Sequence, residues 1–182
     1  MHTDTPLTLP DYLFAAPDIL FVGINPGSYS ARQGHYYARK TNRFWWALHA
    51  SGLVPVRLSP HDDRRVVEFG LALTDLVKRP TNGAAELQPG EFSAARVVLA
   101  EKVRHVQPLI VCFNGLIGYQ QFFRELTRPG RQHRRMGGTY VFVLPSTSAR
   151  NAAYPRDAVL AYFRDLRAWR DTLRRDHGGK EE

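Results

Sequence analysis

The sequence predicts a three-layer α/β domain built on a central, mainly parallel sheet. Three apolar runs carry that expectation: Ile19–Ile24, Leu109–Phe113 and Tyr140–Leu144. Each is apolar throughout rather than alternating, which is the pattern of strands covered on both faces. Segments of helical periodicity lie between them, so strands alternate with helices. In such sheets ligands bind beyond the carboxyl ends of the strands.

The elements follow in order. The run from Ile19 breaks at Asn25-Pro26-Gly27, a strand entering a turn. Ser28 to Lys40, rich in Tyr, Arg and Gly, reads as a loop. Thr41 or Asn42 can cap a helix that carries Phe44, Trp45, Leu48 and His49 and ends near Gly52. Pro60 to Phe69 reads as a further helix, and Gly70–Thr74 as a short strand leading to Asp75. From Glu91 to Val106, one helical face collects Phe92, Ala95, Leu99, Val103 and Val106. Asn114-Gly115 opens a helix ending near Arg124. A last helix from about Pro155 to Arg175 carries a stripe that includes Val159, Phe163, Leu166 and Trp169. No repeat or internal boundary is visible. Residues 1–182 therefore read as one domain, with residues 1–12 and 177–182 expected to be loosely ordered.

Composition narrows the function. The chain is 43% hydrophobic and 12% aromatic, enough to build a core, and its formal charge is +8. That charge favours a polyanionic partner, nucleic acid before an acidic membrane surface. The single cysteine, Cys112, lies in a buried strand and has no second thiol to pair with. The seven histidines are scattered, so neither a zinc site nor an iron–sulfur cluster is expected. No cofactor is expected either. No stretch approaches the roughly 20 apolar residues of a membrane span. Met1–Pro10 lacks a signal-peptide pattern, so a soluble protein of the cytoplasm, or of a nucleus, is expected.

Two segments carry the candidate chemistry. Gly23-Ile24-Asn25-Pro26-Gly27 leaves one strand end, and its glycines allow a ligand to approach the backbone closely. Alone it is equally an ordinary tight turn. Pro145-Ser146-Thr147-Ser148-Ala149-Arg150 leaves another strand end. Its hydroxyls and amides suit phosphate contacts, and its arginine can enter a base stack. Alone it is equally a capping loop with a solvated arginine.

Together these segments resemble the mismatch-specific uracil-DNA glycosylase and thymine-DNA glycosylase family. The resemblance includes Asn42-Arg43-Phe44-Trp45 and Leu76-Val77-Lys78-Arg79-Pro80-Thr81, and spans roughly residues 17–170 in the expected order. It implies a uracil-DNA glycosylase-like fold and a monofunctional glycosylase of base excision repair. Such an enzyme flips uracil, notably from G·U mismatches, out of double-stranded DNA. Single-stranded DNA is a further candidate substrate, and a monomer is expected. The resemblance implies that Asn25 orients the attacking water. It also implies that backbone amides around Ile24 and Tyr37 read the base edge, and that Tyr37 stacks on the base. The bland reading of Tyr37 is a loop aromatic packed on the core. Gly23, Pro26, Gly27, Ser30 and Asn42 complete the expected base pocket, with residues 145–150 on the DNA.

Asparagine is neutral and is no general base, so a carboxylate nearby is expected. Asp75, just past its strand at the same rim, is the candidate. The family pattern does not demand an acid there, and an Asp cap or a salt bridge to Lys78 or Arg79 is the bland alternative. Lys40 lies in a basic loop, and Lys78 and Lys102 read as surface residues, so no lysine nucleophile is expected. Arg124, Arg128, Arg131, Arg134 and Arg135 form either a grip on the DNA backbone or a mobile solvated loop. The arginines of the last helix are interleaved with acids and read as a salt-bridged surface. The competing class is a nucleic-acid-binding module that keeps the fold without the chemistry. A nucleotide-binding enzyme is disfavoured because no glycine-rich fingerprint is present.

Overall fold

The computed structural model describes residues 7–178. Five strands form one sheet: β1 (Ile19–Gly23), β2 (Leu71–Asp75), β3 (Ile110–Asn114), β4 (Gly130–Met136) and β5 (Thr139–Leu144). Their order is β2-β1-β3-β5-β4, with β4 alone antiparallel to its neighbour. Among the described residues five α-helices accompany them: α1 (Ser28–Gln33), α2 (Phe44–Ala50), α3 (Pro89–Val106), α4 (Leu116–Phe123) and α5 (Arg156–Gly178). Helices cover both faces of the sheet, which makes the expected three-layer α/β architecture.

Every residue of β1, β2 and β3 is buried, which explains their unbroken apolar sequences. Phe21, Leu73, Cys112 and Phe142 face α2 and α5 in one core layer. Val22, Ala72, Val111 and Val143 face α3 and α4 in the other. The five predicted apolar positions of α3 are its buried residues. A capping box between Gln88 and Glu91 starts that helix. At α2 the side chain of Asn42 accepts a hydrogen bond from the Phe44 amide at 3.0 Å, as its capping role requires.

Four segments depart from the sequence reading. Ser28–Gln33 is helical rather than loop, and Gly34 (φ +74°) closes that short helix in the left-handed conformation. Pro60–Phe69 winds as a 3-10 helix. The N-terminal arm packs tightly: Leu9 is 1% exposed, and Tyr12 bridges to Leu73 on the edge of β2. Residues 1–6 and 179–182 lie outside the described residues. Arg124 and Arg128 are exposed in the segment after α4, whereas Arg131, Arg134 and Arg135 lie not in a mobile loop but on the edge strand β4. Its arginines are engaged: Arg131 with Asp165 (2.7 Å), Arg134 with Glu125 (2.9 Å), and Arg135 over the Tyr140 ring (3.8 Å). An edge strand rich in charge resists pairing with another chain. On α5, Asp171 pairs with Arg170 (2.8 Å) and Arg167 (3.7 Å), while Arg174 reaches Asp18 at 3.4 Å.

Candidate active site

The carboxyl ends of β2, β1 and β3 bring Asp75, Gly23 and Asn114 side by side. Gly23 is the register partner of Asp75, and β3 runs alongside β1 with Phe113 opposite Val22. A cleft of about 740 Å³ opens over this row. The turn after β1, the Tyr36–Tyr37 segment and the loops at 82–84 and 146–151 close around it. A second cavity, of about 850 Å³, lies at the amino ends of the strands. Its arginines are occupied: Arg104 by Glu101, Arg135 by the Gly138 carbonyl, Arg174 by Asp18. The strand-end rim expected from the sequence to carry the site lies in the first cleft.

Gly23 is required by close approach. A Cβ at that position would lie 2.5 Å from Asp75 Oδ1 and 3.5 Å from the Tyr37 hydroxyl. The missing side chain therefore makes room for a carboxylate and a phenol at the foot of the cleft. Asp75 is only 3% exposed, and its Oδ2 has no hydrogen-bond partner among the described residues. The Tyr37 hydroxyl is likewise buried and unpartnered. Buried polar atoms without partners are costly, and in a cleft they are where a ligand's polar edge is met. Tyr37 sits in the left-handed region (φ +51°), and its ring packs on Phe44 with centroids 4.2 Å apart. It is thus both packed on the core and part of the cleft wall.

Asn25 is oriented by the segment after β2. Its Nδ2 donates to the Arg79 carbonyl and to Thr81 Oγ1, both at 2.8 Å. Thr81 Oγ1 donates in turn to the Gly83 carbonyl at 2.9 Å. Backbone bonds tie the two segments further, from Thr81 to the Pro26 carbonyl (3.1 Å) and from Ser28 to the Thr81 carbonyl (2.9 Å). With both amide hydrogens committed, the Asn25 carbonyl oxygen is the part left for the cleft.

The Pro145–Arg150 loop divides in two. Pro145 and Thr147 are buried, so the expectation that all six residues meet DNA is corrected for these two. Thr147 instead exchanges hydrogen bonds with Asn114, N to Oδ1 at 3.1 Å and Nδ2 to Oγ1 at 2.9 Å. Ser146 and Ser148 are half-buried, while Ala149 and Arg150 are exposed. Arg150 Nη1 reaches across the mouth to the Asn82 carbonyl at 2.9 Å.

Arg43 holds this loop in shape. Its guanidinium donates to the carbonyls of Tyr154 (2.7 Å), Ser148 (3.0 Å), Ser146 (3.1 Å) and Thr147 (3.3 Å). Bonds from a charged donor are worth about 1.5–3 kcal/mol each, and their losses do not add. Arg43→Ala is therefore expected to cost about 2–4 kcal/mol and to lower the melting temperature by roughly 5–10 °C. A thermal melt of the variant that overlays the wild type would remove this role.

The remaining predicted residues serve the walls. Ser30 Oγ accepts from the Ala38 amide at 3.1 Å, bracing the segment that presents Tyr37. Asn42 lines the cleft, but its carbonyl oxygen is committed to capping α2. The sequence places Asn114 at the same rim and holds Arg43 and Thr81 within its motifs without a role, while Asp63 was missed. Buried Asp63 accepts from the Tyr36 amide at 2.9 Å and the Tyr12 hydroxyl at 3.2 Å, clamping the tyrosine turn from the 3-10 helix. No local pattern gives these residues their structural roles. Their partners lie far along the chain, and only the repeated placement of polar residues beside strand ends could have hinted at them.

Lys78 and Lys102 are not simple surface residues. Lys78 Nζ lies 2.7 Å from Asp11 and 3.8 Å from Asp75 Oδ2, and Lys102 Nζ lies 2.6 Å from Asp11. Burial raises the Asp75 carboxyl to about 7, against the opposing pull of Lys78. The site thus holds an acid that changes charge near neutrality beside an oriented amide oxygen, which suits it to handling water. Among the described residues, no group of three or more His, Cys, Asp or Glu side chains is placed to hold a metal ion.

The fold is shared with a protein of Methanosarcina acetivorans provisionally described as a uracil DNA glycosylase. The two are 22% identical, with a TM-score of 0.59 over 89% of this chain and 98% of that one. The model of the uracil DNA glycosylase superfamily matches residues 10–167, which takes in the Asn25 turn, Asp75 and the Arg150 loop. The chain therefore belongs to the uracil DNA glycosylase superfamily, enzymes that act on DNA and hydrolyse N-glycosyl bonds.

Proposed function

We propose that the protein is a monofunctional DNA glycosylase of base excision repair that flips uracil out of duplex DNA, notably from G·U pairs, and hydrolyses its glycosidic bond. The observation that carries this reading is the Asn25 side chain, pinned through its nitrogen with its oxygen free for the cleft.

The arrangement of the cleft supports the following course of reaction. A flipped base enters the cleft with one edge over Gly23, beside the Tyr37 ring. The C1′–N1 bond breaks with its electron pair leaving on the base, while positive charge develops on the sugar. Water held by the Asn25 oxygen adds to C1′, and its proton passes to Asp75 or the departing base. Ionised Asp75 also offsets the sugar's charge. Ser146, Ser148 and Arg150 at the mouth suit the phosphate backbone and the gap left in the stack. Lys78 is held by carboxylates and is no nucleophile, so the product is an abasic site in an intact strand.

Duplex oligonucleotides carrying one G·U, A·U or G·T pair, and single-stranded uracil DNA, provide the test. After incubation and hot alkali, cleavage at uracil is expected in the G·U duplex. Absence of cleavage in every uracil substrate would overturn the reading and favour a binding module.

A further inference from the structure

Asp11, on the N-terminal arm, lies outside the lining of the cleft but joins the charged cluster beside Asp75. Its Oδ1 lies 2.7 Å from Lys78 Nζ and accepts from Thr74 Oγ1 at 2.8 Å, while its Oδ2 lies 2.6 Å from Lys102 Nζ. Lys102 also donates to Thr74 Oγ1 at 3.1 Å, and Lys78 to the Tyr36 hydroxyl at 3.4 Å. The result is a closed cluster of two carboxylates and two ammonium groups drawn from the arm, β2, the segment after it and α3.

Within the cluster the lysines are shared unequally. Asp11 makes close ion pairs with both, whereas Asp75 has only Lys78, at 3.8 Å, and keeps an unpartnered oxygen. Lys78 Nζ thus sits closer to Asp11 than to Asp75. The groups facing Asp75 are Lys78, Asp11 and Lys102, with Tyr36 and Tyr37 from the segment between α1 and α2.

We propose that Asp11 is a positioning residue that sets the charge of Asp75: by holding Lys78 and Lys102 it leaves Asp75 able to gain and lose a proton during excision. Without Asp11 the two ammonium groups have only one carboxylate to serve. Lys78 then closes on Asp75 and keeps it ionised. This rests on the proposed role of Asp75 in excision, but its first readout does not.

Carboxyl-carbon NMR titration of the full-length protein follows the Asp75 charge directly, without any assay of activity. Asp11→Asn is expected to lower the Asp75 midpoint by about one unit or more, the effect of an opposite charge brought into contact. Lys102→Gln removes a positive charge and is expected to raise it. The acidic limb of single-turnover excision of uracil from a G·U duplex moves with the midpoint in each variant. Asp11→Glu restores the wild-type midpoint. A merely structural tie between arm and sheet would change stability in all variants without moving the midpoint in opposite directions. Midpoints that stay within about 0.3 units of wild type, or that move together, overturn the proposal. Should Asp11→Asn fail to fold, Lys102→Gln and Asp11→Glu still decide it by the same criterion. If wild-type protein excises nothing, the proposed function fails while the titration still reports on Asp11.

Discussion

Asn25→Ala is expected to slow single-turnover excision of uracil by about 10³-fold while leaving DNA affinity nearly unchanged. The magnitude is that of removing one preorganised polar group from a site of developing charge. The affinity expectation follows from position. Asn25 sits half-buried at the turn after β1, with its nitrogen bonded to Arg79 and Thr81 rather than directed at the mouth. Phosphate contacts would come instead from the exposed loop around Arg150. The fold should survive, because the backbone bonds between the turn and Thr81 do not involve the side chain. Rapid-quench kinetics paired with a binding titration separates the two effects. A loss confined to binding, or none at all, would remove Asn25 from the chemistry.

Asp75→Asn is expected to make the protein more stable and less active at pH 8. Burial, acting against Lys78, raises the Asp75 carboxyl from 3.8 to about 7. A raised acid binds its proton more tightly when folded. Its contribution to stability is therefore fully present below about pH 4 and is lost as pH rises through 7. Above pH 7 the folded protein carries a buried carboxylate at a cost on the order of 4 kcal/mol. The amide removes that cost, so denaturant unfolding at pH 8 should show a gain of up to this size that disappears near pH 4. Excision at pH 8 should fall by about 10²-fold, the lower range for general acid–base groups. The wild-type rate should rise with pH through about 7, and the variant should lack that rise. Undiminished excision would assign Asp75 to structure alone. A variant less stable than wild type at pH 8 would contradict the burial argument. A residue that lowers stability where it serves chemistry is the expected trade at such a site.

What the sequence made legible was whatever depends on local pattern. The strands β1, β2, β3 and β5 announce themselves because both their faces are buried, and α3 and α5 because one face is. The Asn25 turn and the Arg150 loop stand at strand ends, where the sheet topology puts them on one rim. β4 escaped because an edge strand exposes most of its side chains, leaving Gly-Arg-Gln-His-Arg-Arg-Met with no apolar period. Its one signal was the Gly137-Gly138 pair, a two-residue hairpin turn between Met136 and Thr139. Asp75 was legible as a rim acid, but the ties of Asp11 to Thr74, Lys78 and Lys102 beside it were not. Those pairings join the arm, β2 and α3 across the fold. Arg43 reads as part of a helix start, yet its guanidinium serves carbonyls more than 100 residues away. Polar networks of this kind depend on tertiary placement, which no periodicity encodes.

Release of a free base from DNA by hydrolysis is the activity proposed for this cleft. Chromatographic detection of the released base tests it most directly. Wild-type protein and Asn25→Ala are each incubated with a G·U duplex, and free uracil is measured against abasic sites and strand breaks. Free uracil is expected in equal amount to abasic sites, with strands intact until alkali is added, and about 10³-fold slower release by the variant. Abasic sites without free uracil, strand breaks before alkali, or release unaffected by loss of Asn25 would contradict it.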